Sequence, residues 1–458
     1  MPGKTMSFPL GKPILLMALV ALLSGAIVAT RKPARDKDLV LWVFADAHAQ
    51  TYRSIIDRFE RDSGVSVDIQ FLSGRALPVR LETMFMSGTG GRPLPDLVEL
   101  EIGWVGRFFR APVREMGLLP LNELLARGGW DQRIVQQRFA PWSKRGTIFG
   151  VPHDVHPVTI TYRKDLFDEA GLDLESAQTW PEFQDKCLAF QRYWRSRGYA
   201  RRHALDLPRA SADYLITMLL QRGINLIDDE ERDGFNDPRV AQTIAFYAQL
   251  VAGPRRIAGE TAGLGATGLW VNDFVAGDLC ATFTPDWKAY NFQAYAPQLA
   301  GRLRMMPLLR FDQTDAPTST WGGTMIGITR NSDRREDAWR LIEFLYFSDT
   351  GLKARQRVTK ILPPVMDQWN DAGYHRADPY FGGQKVDELY IDLARQIPRR
   401  YVTPATTIAG TQLSIILNRA VEHVERHGET GLEGNIRRWC AEASEDLRRR
   451  VAHGKFDQ

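Results

Sequence analysis

Short apolar runs alternate along the chain with stretches of helical spacing, and that alternation predicts its elements. Leu39-Val40-Leu41-Trp42-Val43-Phe44 is a continuous apolar run, the pattern of a strand buried on both faces. After a turn at residues 45–48, Tyr52, Ile55, Ile56 and Phe59 fall at i, i+3, i+4 and i+7, which predicts a helix stopped at Gly64. Val65, Val67, Ile69 and Phe71 then alternate as a second strand. A strand–helix–strand unit of this kind argues for a parallel or mixed sheet covered by helices.

The same alternation recurs. Residues 95–100 read as a strand after the Gly/Pro loop 88–95, and the β-branched run Val158-Thr159-Ile160-Thr161-Tyr162 reads as another. Thr179-Trp180-Pro181-Glu182 is a capping-box pattern with proline in the first turn, so a helix opens there. Asp237-Pro238 opens a further helix, with Val240, Ile244, Tyr247, Ala248 and Val251 on one face. Residues 279–283 and 325–328 are strand-like. Asn331-Ser332-Asp333 offers caps for a helix burying Ala338, Leu341, Ile342 and Leu345, and the last hundred residues are mainly helical. No internal repeat or low-complexity tract interrupts this α/β pattern.

Composition changes the picture little: 44% hydrophobic and 25% charged residues over 458 positions suit a globular chain long enough for two domains. The net charge of +4 matters more through its placement. Lys4, Lys12, Arg31, Lys32, Arg35 and Lys37, against Asp36 and Asp38, account for all of it, so the rest of the chain is neutral. That distribution argues against a nucleic-acid binder, which concentrates positive charge on its folded part. Residues 1–37 instead read as a leader: basic Lys4 and Lys12, an apolar run 13–29, and small residues Ser24-Gly25-Ala26. The run just reaches membrane-spanning length, and the basic cluster after it resists translocation, so an uncleaved anchor is the alternative to a cleaved signal. Either way the remainder is expected to be extracytoplasmic.

Several local patterns fail as chemistry. Gly263-Leu264-Gly265-Ala266-Thr267-Gly268 matches a dinucleotide fingerprint, but the preceding Gly253-Pro254-Arg255-Arg256 is loop-like where a strand is required. Gly88-Thr89-Gly90-Gly91 lacks the Lys-Ser/Thr of a phosphate loop. His153 and His156 flank Asp154 between Pro152 and Pro157, a spacing that does not put both imidazoles on one helical face, so no metal is expected. Cys187, Cys280 and Cys440 are far apart and show no metal-ligand spacing. No GxSxG serine setting occurs. No cofactor is implied. The twelve tryptophans say more, because sugar-binding sites combine aromatic platforms with polar groups at the ring edge. Trp287 beside Asp286, Trp321 beside Gly322 and Gly323, and Trp104 near Glu101 all lie close to strand ends, where loops host ligands.

The order of segments resembles the extracellular solute-binding proteins of the maltose-binding type. Gly146-Thr147-Ile148-Phe149-Gly150-Val151-Pro152-His153-Asp154, followed by Thr161-Tyr162-Arg163-Lys164-Asp165-Leu166-Phe167 and Ala170-Gly171, is similar to that family's "GxxYGVPxD…YYNKDLFxxAG". Phe149 stands where the family often has tyrosine, and Arg163 where it often has asparagine. Trp180-Pro181-Glu182-Phe183 matches its "TWxE", residues 274–287 its "FxxGkxAmxxxgxW", and residues 321–328 with Ala338-Trp339 its "GGxxxaI…eaAw". Ile361-Leu362-Pro363-Pro364 resembles its late proline turn.

The resemblance implies a type II periplasmic-binding-protein clamshell of two lobes, each a mixed sheet flanked by helices and discontinuous in sequence. Residues 38–157 and 305–350 are expected in lobe 1, and 158–304 and 351–450 in lobe 2, with crossings near 155–160, 303–312 and 350. By matching position it implies ligand contacts from Asp46, His48 and Glu101, with Arg75 at the rim. His153 and Asp154 come from the hinge side, Asp286 and Trp287 from lobe 2, and Trp321, Gly322 and Gly323 from the returning segment. Trp287 and Trp321 would stack on pyranose faces, and Asp154, Asp286 and Glu101 would accept hydroxyl hydrogen bonds. The implied protein is a monomeric receptor that captures a carbohydrate and delivers it to the permease subunits of an ABC importer, without chemistry. The alternatives are the same fold with a polyamine or phosphate ester, and an exported carbohydrate-active enzyme.

Overall fold

In the computed structural model, which describes residues 37–87, 95–260, 270–454 and positions 16, 17, 19, 20 and 22, the chain builds two five-stranded sheets. In chain order the strands begin with β1 (Leu39–Val43), β2 (Val67–Phe71), β3 (Leu97–Glu101), β4 (Ser143–Lys144), β5 (Thr147–Ile148) and β6 (Val151–Pro152). They continue with β7 (Val158–Arg163), β8 (Leu205–Asp206), β9 (Ala258–Gly259), β10 (Ala281–Pro285), β11 (Leu303–Pro307) and β12 (Thr324–Ile328). The leader and both glycine-rich patterns fall almost wholly outside the described residues. Among the described residues no helix is long and apolar enough to cross a membrane.

The first sheet has the order β2-β1-β3-β12-β6. β1 is parallel to β2 and β3, and β12 runs antiparallel to β3 and β6. The second has the order β11-β7-β10-β8-β9, with β7 antiparallel to both β10 and β11. All six residues of β7 are buried, as its β-branched run requires of a strand covered on both faces. Each sheet is therefore mixed and wrapped by helices, giving two α/β lobes with separate cores.

Local signals act where the sequence puts them. The helix Trp180–Arg195 carries the full capping box, Thr179 accepting from the Glu182 amide while Glu182 reaches back. Its face buries Trp180, Phe183, Cys187 and Phe190 in the second lobe. Gly64 ends its helix in the left-handed conformation. The first predicted helix is in fact two, Asp46–Arg53 and Ile56–Ser63. Ser54 turns its hydroxyl back to the Thr51 carbonyl and Ile55 leaves helical geometry, a break that the apolar spacing bridges without revealing. The cap also lies later than predicted: the helix Arg335–Ile342 starts after Arg334, while the Ser332 hydroxyl is spent on Asp96.

Three segments pass between the lobes at one place. Residues 153–157 join β6 to β7. Residues 318–323 return from β11 to β12, where Val158 bonds Ser319 and Pro157 bridges Thr320. Residues 359–364 run beside them, the Val155 amide donating to Leu362 at 3.2 Å. Two expected boundaries need correction. β11 pairs with β7, so residues 305–307 belong to the second sheet and the return crossing lies after 317, not at 303–312. The helix Asp349–Val358 packs on the helix Asp46–Arg53 of the first lobe, so the last crossing follows residue 358 rather than 350. A short apolar strand looks the same in either sheet, and only its pairing assigns it.

Gly323 sits in the return crossing at φ +152°, where an added Cβ would meet the Arg138 guanidinium at 2.5 Å. Gly323→Ala is expected to destabilise the fold by about 1–3 kcal/mol through backbone strain and displacement of Arg138. Chemical denaturation measures this, and an unchanged midpoint contradicts it.

Candidate ligand-binding cleft

A cleft of about 680 Å³ opens between the lobes beside these crossings. Phe44, Asp46, His48 and Gln50, from the end of β1 and the helix after it, line the first-lobe wall with Glu101 at the end of β3. Asp213, Trp287, Tyr290, Asn291 and Tyr295 line the second-lobe wall. Asp154, His156, Trp321, Gly322, Gly323 and Thr324 form the floor at the hinge.

The floor is a buried charge cluster. Asp154 takes a hydrogen bond from Arg138 Nη2 at 2.6 Å and another from the Thr324 amide at 2.9 Å. His156 stands between two carboxylates, Nε2 at 3.1 Å from Asp154 and Nδ1 at 2.5 Å from Asp286. Asp286 also accepts from the Leu362 amide at 2.8 Å, which ties the third crossing to the other two. Burial works against a charged imidazole, but the two carboxylates outweigh it and push His156 up to about 9. Burial likewise opposes the Asp154 carboxylate, yet His156, His153 and Arg138 hold it well below the usual range. His156 adopts φ +55°, unusual for a residue with a side chain, and the two ion pairs fix it there.

A second buried cluster lies behind the first-lobe wall. Glu99 receives His48 Nδ1 at 2.9 Å, Tyr52 at 2.5 Å and Tyr346 at 2.8 Å. Burial would raise its carboxyl, but His48 beside it and these bonds bring it down to about 2. His153 stacks on His48 with centroids 4.1 Å apart, and burial, Arg355 and His48 push it down to about 3, leaving it neutral. His48, Glu99 and His153 bring their donor atoms within 4.8 Å of one another. The two imidazole planes lie 25° from parallel, however, so their lone pairs run side by side rather than converge on a shared ion. This is a hydrogen-bonded pillar under the cleft wall.

Glu101 caps the helix Ile102–Phe108 through the Gly103 amide at 2.7 Å. Burial pushes it up to about 7, against that hydrogen bond and the charge of Arg400, with Asp213 and Asp154 adding to the rise. Trp287 and Trp321 meet edge to face at 5.7 Å, and the Trp287 indole donates to the Trp321 carbonyl. Trp321 is only 7% exposed and packs on Tyr214, so most of its surface serves the core.

Eight residues expected at the site line this cleft: Asp46, His48, Glu101, Asp154, Trp287, Trp321, Gly322 and Gly323. Three do not. Arg75 is exposed on the loop after β2, away from the lining. His153 is buried behind His48, and Asp286 is buried beneath the floor, where its carboxylate is spent on His156 and Leu362. Sequence reasoning also missed members. In the sequence His156 reads only as half of a metal-ligand spacing, and Arg138 and Asp213 carry no local signal. Tyr290, Asn291 and Tyr295 were legible as helical repeats of Trp287.

Two mixed α/β lobes joined by three crossings over a central cleft define a type II periplasmic-binding-protein fold. The chain belongs to the bacterial extracellular solute-binding protein family, whose pattern it matches over residues 45–351. Among curated relatives it is 23% identical to the arabinooligosaccharide-binding protein of Halalkalibacterium halodurans, over 85% of this chain and 86% of that one. It is 20% identical to the arabinooligosaccharide-binding protein of Bacillus subtilis, over 85% and 89%. Among solved structures it is similar to the sugar-binding protein MalE of Xanthomonas citri, with TM-score 0.71, 20% identity, and coverage of 90% of this chain and 98% of that one. The family is one of binding proteins that act outside the cytoplasm.

The raised His156 value has a stability consequence. An unfolded histidine loses its proton near the ordinary 6.5, whereas this one keeps it to about 9. Its stabilisation is therefore fully present below pH 6.5 and is lost as pH rises through about 9. His156→Gln leaves two buried carboxylates short of a cation and is expected to cost about 3–5 kcal/mol. It should also flatten the dependence of the urea midpoint on pH across that window. The same slope in variant and parent contradicts the assignment.

Proposed function

We propose that this protein captures a neutral carbohydrate, in particular an oligosaccharide, between its lobes and delivers it unchanged to the permease subunits of an ABC importer. The observation that carries this is the lining of the cleft. Aromatic rings from Phe44, Trp287, Tyr290 and Tyr295 stand beside hydrogen-bonding groups of Asp46, Gln50, Glu101, Asp213 and Asn291, with no lysine or arginine among the described lining residues. Sugars offer apolar C–H faces to the first set and hydroxyls to the second. The arabinooligosaccharide-binding relatives support the same class of ligand. Capture follows from geometry: a ligand touching both walls favours the state in which they approach.

Aromatic rings and carboxylates without arginine also suit a polyamine, which makes that the second reading. The charge balance weighs against it. Asp154 is already paired with Arg138 and His156, burial drives Glu101 toward its neutral form, and Asp213 lies in the field of the Arg400 guanidinium, so little uncompensated negative charge faces the cleft. A phosphate ester finds no lysine or arginine among the described lining residues, and the charge of His156 is already taken up by Asp154 and Asp286.

A thermal-shift screen of the purified protein against neutral mono- and oligosaccharides, polyamines and sugar phosphates tests this. A rise in Tm with one neutral sugar class, the compound being recovered unchanged, is expected. Trp287→Ala should weaken that binding by about tenfold or more. A shift with polyamines alone, or conversion of the added sugar, overturns the reading.

A further inference from the structure

The helix Asp286–Tyr295 carries large side chains on both faces, and only one face is buried throughout. At about 100° per residue, Ala289 and Phe292 share a face with Ala296 just beyond the helix, and all three lie in an apolar cluster of the second lobe. Trp287, Tyr290, Asn291 and Tyr295 share the opposite face, and all four line the cleft. Trp287 also packs against the main apolar core of the lobe, but Tyr290 and Tyr295 belong to none of its apolar clusters, so core packing gives no reason for those two rings. Trp287 is the inner end, against Trp321 at the hinge, and Tyr295 is the outer end, 51% exposed. At about 1.5 Å per residue the stripe is about 12 Å long, more than one sugar ring occupies.

We propose that this helix is a ladder of successive subsites for a linear, uncharged oligosaccharide. Its inner ring lies at Trp287, and its outer end leaves the cleft past Tyr295. The proposal rests on the carbohydrate reading and specifies ligand length, direction and charge. Each aromatic ring offers an apolar face to one stretch of the saccharide, and Asn291 supplies a polar group between them. Tyr295 is half exposed, so it contacts the ligand without closing the cleft behind it, and longer chains project into solvent. A carboxylate on the saccharide would enter a cleft holding Asp46, Glu101 and Asp213, where no lysine or arginine stands among the described lining residues and the charge of His156 is already taken up by Asp154 and Asp286, so nothing offsets its desolvation.

Isothermal titration with arabino-, xylo- and malto-oligosaccharide ladders, from monosaccharide to hexasaccharide, and with oligogalacturonides tests this. For the ladder that binds, affinity should rise by about tenfold or more with length and then level off without falling for the longest members. Tyr295→Ala should weaken the long members by about fivefold and leave the shortest unchanged. Tyr295→Phe should keep the parental profile, and Trp287→Ala should weaken every length. Loss of binding by the longest chains, a Tyr295→Ala profile equal to the parent's, or an equal loss at all lengths overturns the ladder while leaving carbohydrate capture standing. Oligogalacturonides binding as well as neutral chains overturns the charge argument. Binding of none of these saccharides overturns the carbohydrate reading together with the ladder.

Discussion

The lobes of this protein are joined through a buried ion cluster, Arg138–Asp154–His156–Asp286, at the point where three segments cross. Arg138 and His156 stand against the two carboxylates, and the backbone amides of Thr324 and Leu362 each donate to one of them as well. Burying such groups costs several kcal/mol each unless they are paired, so the arrangement tolerates little displacement. It gathers the segments before β7, before β12 and after the helix Asp349–Val358 around one imidazole. The left-handed backbone at His156 and the open space required at Gly323 both follow from that convergence.

The cleft inherits its geometry from the cluster. Asp154 and His156 form the floor, so the walls diverge from a fixed base: β1, β3 and their helices on one side, the helix Asp286–Tyr295 on the other. Asp286 opens that helix while its side chain grips His156, which anchors the inner end of the aromatic stripe to the hinge. On the opposite wall the Glu99–His48 pillar holds the backbone beside Phe44 and Asp46 in place. A ligand bridging the two walls needs only to shift the balance between open and closed arrangements, which differ in such folds by a few kcal/mol.

Much of this was legible in the sequence. Buried strands such as β1 and β7 showed as unbroken apolar runs, the capping box at Thr179 placed a helix, and the sequence around Val151-Pro152-His153-Asp154 led to the hinge. What escaped depended on distance across the fold. Arg138 and Asp286 are far apart in the chain and meet only through Asp154 and His156, so neither revealed its role locally. Asp286 resembled a ligand group because it precedes Trp287, yet its carboxylate turns inward. His153 resembled one because it neighbours Asp154, yet residues one apart in an extended segment point to opposite sides. The expected lobe boundary cut through β11 and put residues 305–307 in the wrong lobe, because apolar spacing does not record which sheet a strand joins.

The central claim is that a neutral saccharide bridges the two walls and draws them together over the charged floor. Small-angle X-ray scattering of the protein, with and without a saturating neutral oligosaccharide, measures this most directly. The account predicts a smaller radius of gyration in the bound state, and no such decrease when Trp287→Ala is given the same saccharide at the same concentration. An unchanged radius at demonstrated saturation of the parent protein would contradict it.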